Sequence, residues 1–248
     1  MKVGLFVTCL VDLVRPNIGF ATLKLLEEAG CEVIVPAHQT CCGQPGYNSG
    51  ARDLAKQLAR KVLADFQGCD YIVAPSGSCS GQVKRHYIED LFRDEPELPA
   101  FLQLAARWYE LSDFLVTVLK MESVPGQFNG SLTYHDSCAG LRELAVKAQP
   151  RALLGQTGCT LTEMADAEKC CGFGGTFSVK LGEISTRMAE NKCANIEATK
   201  ADAVVGGDLG CLLNIEGRLR RSGNMTTQVY HFAEVLAGMA DAGRSAEE

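Results

Sequence analysis

The sequence of 248 residues lacks several features that would assign a protein to a large class at once. No block of Lys and Arg is long enough to form an electrostatic footprint for nucleic acid or for a membrane surface, and the net charge is −6. No apolar run approaches the length that crosses a bilayer. We therefore expect a protein that neither binds nucleic acid nor inserts into a membrane.

Two short signals are also missing. The stretch from Met1 to Thr8 is too short for the core of a signal peptide, and no small-residue cleavage site follows it. The glycine-rich stretch 172–175 lacks the spacing of a nucleotide-binding loop and a partnering Lys followed by Ser or Thr. The expected location is the cytoplasm, and the chain is not expected to bind a nucleotide cofactor by itself.

Cysteine, in contrast, is abundant, with twelve in the chain. In a small secreted protein this number would indicate disulfides. Here the chain is large and its hydrophobic content of 46% is ordinary for a globular protein. In a reducing compartment such a count indicates metal binding or redox chemistry.

Eight of the cysteines form two sets that repeat along the chain. They are Cys9, Cys41, Cys42 and Cys79 in the first half, and Cys138, Cys170, Cys171 and Cys211 in the second half. The second set follows the first by 129 residues, or by 132 for its last member. Chance would rarely produce this offset, so the pattern indicates a duplication.

Each copy alternates strand and helix patterns, which is typical of a parallel sheet covered on both faces. The sequence therefore predicts an α/β protein of two pseudo-symmetric Rossmann-like halves, 1–124 and 128–248, joined within 122–130 and each able to bury a small core of its own. Ser49 is predicted to cap an amphipathic helix that runs to Phe66. Residues after about Ala242 are expected to form a frayed polar end.

In both copies the repeated cysteines follow the predicted strands. The carboxyl ends of parallel strands meet at one edge of a sheet, so four thiols are expected to converge there and form a metal site in each half. An adjacent pair of ligands requires a turn, which Gly43 and Gly172 permit, and backbone N–H groups in that turn could donate to sulfur. The four remaining cysteines are predicted to pack in the core, and they are Cys31, Cys69, Cys159 and Cys193.

The motif of Cys9, 31 residues, Cys41-Cys42-Gly43, 35 residues and Cys79 resembles the cysteine-rich CCG domain, and the second half repeats it. With Tyr134-His135-Asp136-Ser137-Cys138 and Cys171-Gly172-Phe173-Gly174-Gly175, nearly the whole chain resembles the lactate utilization protein A family. This resemblance implies an iron–sulfur electron-transfer subunit of a cytoplasmic L-lactate oxidation complex. It also implies partners, namely other iron–sulfur or lactate-utilization subunits and an electron acceptor.

One departure from the family pattern concerns the end of each motif, which is usually Cys-x-x-Cys. Ser76 and Asp208 replace the first cysteine of that pair. Four thiolates per half fit one [4Fe–4S] cluster in each, because such a cluster needs four ligands. An oxygen of Ser76 or Asp208 stays open as an additional ligand.

Three other residues near the cysteines are weaker candidates. His135 and Asp136 precede Cys138 and are candidates for proton transfer, although a hydrogen-bonding or supporting role is the commoner one for a histidine at a strand end. His38 lies close to Cys41 in sequence and is a candidate ligand or supporting group.

Two other functions stay open at this point. The first is a heterodisulfide-reductase-like subunit that acts on thiols or disulfides. The second is a non-catalytic assembly protein whose fold is stabilised by tetrahedral zinc sites, since thiolates suit zinc nearly as well as iron. Zinc in one half and a cluster in the other is a third arrangement.

Overall fold

The computed structural model of the protein describes residues 1–240. Its strands are β1 (Lys2–Leu5), β2 (Glu32–Ile34), β3 (Tyr71–Ala74), β4 (Trp108–Glu110), β5 (Ser131–His135), β6 (Thr160–Leu161), β7 (Ala203–Gly206) and β8 (Gln228–His231). They form two four-stranded sheets in the orders β2-β1-β3-β4 and β6-β5-β7-β8, and every pair is parallel. The predicted α/β class with two pseudo-symmetric halves is confirmed. The expected frayed end after Ala242 lies outside the described residues.

The helices connect these strands. They are α1 (Cys9–Val14), α2 (Asn17–Glu28), α3 (Gln44–Asn48), α4 (Arg52–Asp65), α5 (Gly77–Gly81), α6 (Leu98–Ala106), α7 (Leu111–Asp113), α8 (Cys138–Leu144), α9 (Ala148–Leu154), α10 (Thr176–Lys180), α11 (Gly182–Thr199), α12 (Leu209–Arg221) and α13 (Phe232–Leu236). Wider π-helical turns continue α5 over Gln82–Leu91 and α7 over Phe114–Val118, and a 3₁₀ turn, Gly155–Thr157, follows α9. Within residues 1–240, no helix has both the length and the apolar character to span a bilayer.

The strand order explains where the repeated cysteines lie. In the first sheet the chain passes from β1 to β2 on one side, and then returns past β1 to β3 on the other side. A crevice forms at such a switch point, beyond the carboxyl ends of the two central strands. Cys9 begins the helix after β1, and Cys79 lies in the helix after β3. The second sheet places Cys138 and Cys211 in the same way after β5 and β7.

The apolar core does not divide cleanly between the halves. The first sheet has a cluster of its own around Phe6, Phe66 and Trp108. A second cluster joins Leu25 of α2 to Leu132 of β5 and to other buried residues of the second half. The expectation of a separate core for each half is therefore only partly correct, because one face of each half is buried against the other.

The predicted cap at Ser49 is wrong. Ser49 ends α3, and its Oγ donates 2.7 Å back to the carbonyl of Pro45. Helix α4 begins three residues later at Arg52, with Ala51 at its N-cap position and no side-chain hydrogen bond there. The hydroxyl thus satisfies a carbonyl at the end of one helix rather than an N–H at the start of the next.

Helices α5 and α8, one from each half, approach each other closely. A Cβ added at Gly77 would lie 2.9 Å from both the N and Cα of Gly140. The Gly77 N–H also donates 3.3 Å to the carbonyl of Gly207 in the second half. Because no side chain separates these backbones, the carboxyl edges of the two sheets meet.

Candidate metal centre

The eight repeated cysteines line one cavity of about 440 Å³ at the interface of the halves. The sequence predicts one site per half, and the structure brings both sets of thiols to the lining of the same cavity. The cavity is also lined by polar residues of both halves, including Gln44, Ser76 and Asp208, and by the larger apolar side chains of Leu10, Phe173 and Leu209. Two equivalent thiol sets therefore share one cavity at the pseudo-symmetric interface.

Within each half the four thiols form a row. In the first half Cys9 Sγ lies 3.6 Å from Cys41 Sγ. Side-chain hydrogen bonds then join Cys41 to Cys42 and Cys42 to Cys79. In the second half the row runs in the same order, and its members are Cys138, Cys170, Cys171 and Cys211. The convergence that the strand ends predict is therefore present in both halves.

The turn after each cysteine pair has the geometry that the sequence predicts. Gly43 has a φ of 83° and Gly172 a φ of 90°, both in the left-handed region that glycine favours. The Gly43 N–H donates 3.4 Å to Cys41 Sγ, and the Gly172 N–H donates 3.3 Å to Cys170 Sγ. The turn N–H groups therefore donate to cysteine sulfur in both halves, and donation to the sulfur of a bound cluster stays a prediction.

The buried member of each pair is held from behind through its carbonyl. Tyr87 donates its hydroxyl to the Cys42 carbonyl at 2.6 Å, and Asn214 donates Nδ2 to the Cys171 carbonyl at 2.9 Å. Both cysteines are 1% exposed. Different side chains thus fix the same backbone position in the two halves.

One thiol in each half is poised to lose its proton. Hydrogen bonds from Cys42, Cys9 and the Gly43 N–H lower the pKa of Cys41 to about 3. In the second half, hydrogen bonds from Cys138, Cys171 and Gly172 lower the pKa of Cys170 to about 2. The thiols that donate these bonds have raised pKa values, because donation and burial favour their protonated form. Since the thiolate is the form that binds metal, each row starts with one ligand ready.

Hydroxyl caps orient the helices that carry Cys9, Cys79 and Cys138. Thr8 Oγ1 accepts from the Val11 N–H, and Ser137 Oγ accepts from the Gly140 N–H, at the starts of α1 and α8. Ser76 Oγ accepts from the Cys79 N–H at 3.2 Å. These caps place the thiols in the first turns of their helices, where the backbone dipoles favour negative charge.

The two residues that replace a family cysteine are bonded to each other. Asp208 Oδ2 accepts from the Ser78 N–H at 2.8 Å and lies 3.4 Å from Ser76 Oγ, across the interface. Burial raises the pKa of Asp208, and hydrogen bonds from Ser78 and Ser76 act against that increase. Both positions reach the cavity wall, but their polar atoms link the two halves.

His135 and Asp136 lie in different surroundings. Asp136 forms a bidentate pair with Arg151, with N–O distances of 2.8 and 2.9 Å, and neither Asp136 nor His135 lines the thiol cavity. His135 is 1% exposed and lies beside Cys171 and Cys211, where its ring nitrogen and their two sulfurs are all within 4.8 Å of one another. Burial, and then the Lys192 charge, lower the pKa of His135 to about 3. Asp136 is thus held in an ion pair, and His135 approaches the thiols as a neutral imidazole.

His38 does not join the site. Its side chain is exposed and lies outside the lining of the thiol cavity, although Cys41 is only three residues away. The loop before Cys41 therefore carries the imidazole away from the sulfur row.

The four remaining cysteines lie outside the thiol cavity, as predicted. Cys31 and Cys69 are buried in apolar clusters, and Cys159 packs at the edge of one. Cys193 is 3% exposed, and burial raises its pKa to about 12. They behave as small core residues.

Sequence reasoning missed two features near the site. Lys192 is 2% exposed, and its Nζ donates to the carbonyls of Asp166 and Ala167 just before Cys170. His86 and Glu143, from opposite halves, lie 3.5 Å apart at the cavity wall, and the Glu143 carboxylate raises the pKa of His86. A lysine within a mostly polar helix resembles an exposed residue, so the sequence carries no signal of its burial.

The donor set fits a metal centre of the thiophilic kind. Each row offers four sulfur atoms, one of them in a setting that favours thiolate, together with a backbone N–H donor. Thiolates select iron–sulfur clusters and zinc over hard cations such as Mg²⁺ and Ca²⁺. Both kinds of thiophilic centre suit these residues.

Comparison with known proteins agrees with this arrangement. The model of a cysteine-rich domain, CCG, matches residues 3–84 and again residues 132–216. A protein of Geobacillus kaustophilus named Lactate utilization protein A is 49% identical over 238 residues, which are 95% of this chain and 98% of that protein. The chain belongs to the lactate utilization protein A family. Another member of the family, from Oceanobacillus iheyensis, is 46% identical over 239 residues, 95% of this chain and 96% of its own.

Solved structures are more distant from this member of the lactate utilization protein A family. An aspartate racemase homologue from Pyrococcus horikoshii OT3 is 11% identical and covers 96% of each chain, with a TM-score of 0.34. This likeness is too weak to bear on the site or its chemistry.

Proposed function

We propose that this protein is an iron–sulfur electron-transfer subunit of a cytoplasmic L-lactate oxidation complex. The observation that carries the proposal is the pair of matching four-thiol rows that line one cavity. The names of the relatives support the link to lactate. Clusters with thiolate ligands cover a wide range of potentials, which suits the passage of electrons from a substrate oxidation to an acceptor.

We assign one [4Fe–4S] cluster to each half, with the four cysteines of its row as ligands. Such a cluster, when bound, takes up and gives up one electron at a time. The surrounding chain supports this role: the turn N–H groups of Gly43 and Gly172 donate to sulfur and stabilise negative charge there. Ser76 and Asp208 are not assigned as ligands, since they bond to each other and to Ser78.

The proposal requires partners. The chain has no dinucleotide fingerprint, so the two-electron oxidation of lactate is assigned to another site, and other iron–sulfur or lactate-utilization subunits are proposed to deliver or receive the electrons. The two rows share one cavity, so centres bound there would be neighbours. That arrangement suits a relay between two partner surfaces.

Purification without oxygen, followed by iron, sulfide and zinc analysis of the chain, tests the proposal. About eight irons per chain are expected, four for each cluster. Cys42→Ser and Cys171→Ser are each expected to lose about half of the iron, whereas Cys159→Ala, outside the cavity, retains all of it. Visible and EPR spectra of the two serine variants, recorded before and after reduction, then show the cluster that remains in the other half.

Two results would contradict the proposal. A colourless protein with stoichiometric zinc in both halves would favour the alternative function, a non-catalytic assembly protein whose fold is stabilised by zinc sites. Reduction of a substrate disulfide by the isolated chain favours the heterodisulfide-reductase-like function. About four irons with one zinc would limit the cluster assignment to one half, and the two serine variants identify which.

A further inference from the structure

The carboxyl end of the central strand differs between the two halves. His135 ends β5, and the position 129 residues earlier, after β1, is Phe6. Phe6 is fully buried, with its ring 5.2 Å from that of Trp108 and 5.9 Å from that of Phe66. A hydrocarbon side chain therefore satisfies this position of the fold, and packing alone does not call for an imidazole in the second half.

The surroundings of His135 leave its nitrogens unsatisfied. The side chain is 1% exposed, and within residues 1–240 neither ring nitrogen forms a hydrogen bond of normal geometry, although the backbone of Ala167 lies near the ring. Burying a polar group without a partner costs free energy, and such groups in native proteins usually bind water, an ion or a ligand. The atoms that the imidazole approaches are Cys171 Sγ and Cys211 Sγ.

The distances suit a shared metal atom. The imidazole nitrogen and the two sulfurs lie within 4.8 Å of one another, yet among the described residues no N–H···S hydrogen bond joins them. A thiophilic metal lies about 2.1 Å from an imidazole nitrogen and about 2.3 Å from a thiolate sulfur. The imidazole nitrogen would therefore reach a metal atom held by Cys171 or Cys211 after a small contraction.

We propose that His135 is a nitrogen ligand of the metal centre in the second half, so that the two halves bind centres of different kinds. The first half supplies thiolates only, and the second supplies thiolates and one neutral imidazole. The inference rests on the proposed function in assuming that each half binds a metal centre. It replaces the four-thiolate ligand set proposed for the second half by three thiolates and the imidazole of His135.

A nitrogen ligand changes the electrostatics of the second centre. Replacement of thiolate by histidine raises the reduction potential of iron–sulfur centres, because the imidazole adds no negative charge. The buried Lys192 ammonium lies near the same centre, and the equivalent position in the first half is Leu63. Both differences raise the potential of the second centre relative to the first, so electrons that enter the chain collect in the second half.

Pulsed EPR of the reduced, anaerobically purified chain tests the assignment. Protein made with ¹⁵N-histidine is compared with unlabelled protein for a strongly coupled nitrogen. The expected coupling changes with the isotope, is lost in His135→Phe, which carries the residue of the first half, and persists in the exposed control His38→Gln. His135→Gln is the second variant, in case the larger ring of Phe disturbs folding. A redox titration is expected to resolve two transitions, and the upper one moves to lower potential in both His135 variants.

The outcomes separate the inference from the proposed function. Iron in both halves with no nitrogen coupling, or with a coupling that His135→Phe and His135→Gln both retain, overturns the inference and leaves the function intact. If the second half contains zinc, X-ray absorption at the zinc edge is expected to show one nitrogen among sulfurs in the natural protein and none in the variants; sulfur alone in the natural protein overturns it. A chain without any metal overturns both.

Discussion

Single glycines shape the thiol rows, and Gly172 is the most constrained of them. A Cβ added there would lie 2.6 Å from the Ser185 carbonyl oxygen, a backbone atom that cannot rotate away. The positive φ adds a second cost for any residue with a Cβ. The turn between Cys171 and Phe173 therefore depends on glycine at this position.

We expect Gly172→Ala to lower the free energy of unfolding by about 2–4 kcal/mol, from left-handed strain and overpacking together. Gly155→Ala is the matched control, since its added Cβ meets no atom within 4 Å and its φ is −57°. Denaturant unfolding of both variants checks the prediction. Equal stability of the two variants would show that the backbone around Cys170 adjusts freely.

A buried carboxyl at the end of β4 makes stability depend on pH. Glu110 is 3% exposed, and burial raises its pKa to about 7, although Ser112 and the Asp113 N–H donate hydrogen bonds to it. Between pH 4.5 and 7 the folded state therefore holds this proton more tightly than the unfolded state. Stability falls as pH rises through that range.

Glu110→Gln cannot titrate, so the stability of the natural protein relative to the variant is expected to fall from pH 4.5 to pH 7. At about 1.4 kcal/mol for each pH unit between the two pKa values, the change is about 3 kcal/mol. Urea unfolding at pH 4.5, 5.5, 6.5 and 7.5 measures it. Parallel stability curves for the two proteins would contradict a raised pKa at Glu110.

Much of the residue-scale picture was predictable, because it rests on local chemistry. The eight thiols and the glycine after each pair are visible as spacing, and the rule for parallel strand ends brings them together. The burial of Lys192 and the pairing of His86 with Glu143 depend on contacts between distant segments. No local pattern encodes such contacts.

At the scale of elements, the central strands and their helices were predictable, whereas the last strand of each half was not. Strand β4 reads Trp-Tyr-Glu and β8 reads Gln-Val-Tyr-His, and each is too short and too mixed in polarity to show a periodicity. The two segments are recognisable only as copies of each other. Their place at the sheet edge follows from pairing with β3 and β7.

Asp208 joins the starts of α5 and α12. Substitutions at Asp208 test whether its oxygens support the fold or bind metal. Asp208→Ala leaves the Ser78 N–H without its acceptor, and we expect a loss of about 1–3 kcal/mol. Asp208→Asn retains an oxygen acceptor and is the matched control. Both variants are expected to keep the metal content of the natural protein, as chemical denaturation and metal analysis would establish. Loss of metal from both variants would instead make Asp208 a ligand.

At the scale of the whole molecule, the sequence indicates a duplication but not how the copies meet. The shared apolar cluster and the contact of Gly77 with Gly140 are both non-local. They bring the two predicted sites into one cavity. The division into 1–124 and 128–248 stays a proposal about the chain, and the shared core argues that the halves do not fold separately.

Leu25 tests that argument, because it lies on α2 of the first half and is fully buried in the cluster shared with Leu132, Leu153 and Leu236. Leu25→Ala is expected to cost about 2–5 kcal/mol. The loss should speed amide hydrogen exchange in β5 and β7 as much as in β1 and β3, since one cooperative unit loses stability throughout. Phe20→Ala, on the exposed face of the same helix, is the control and is expected to change stability by less than about 0.5 kcal/mol. Faster exchange confined to the first sheet would mean that the halves unfold independently, and the cavity between them would then open without the loss of either fold.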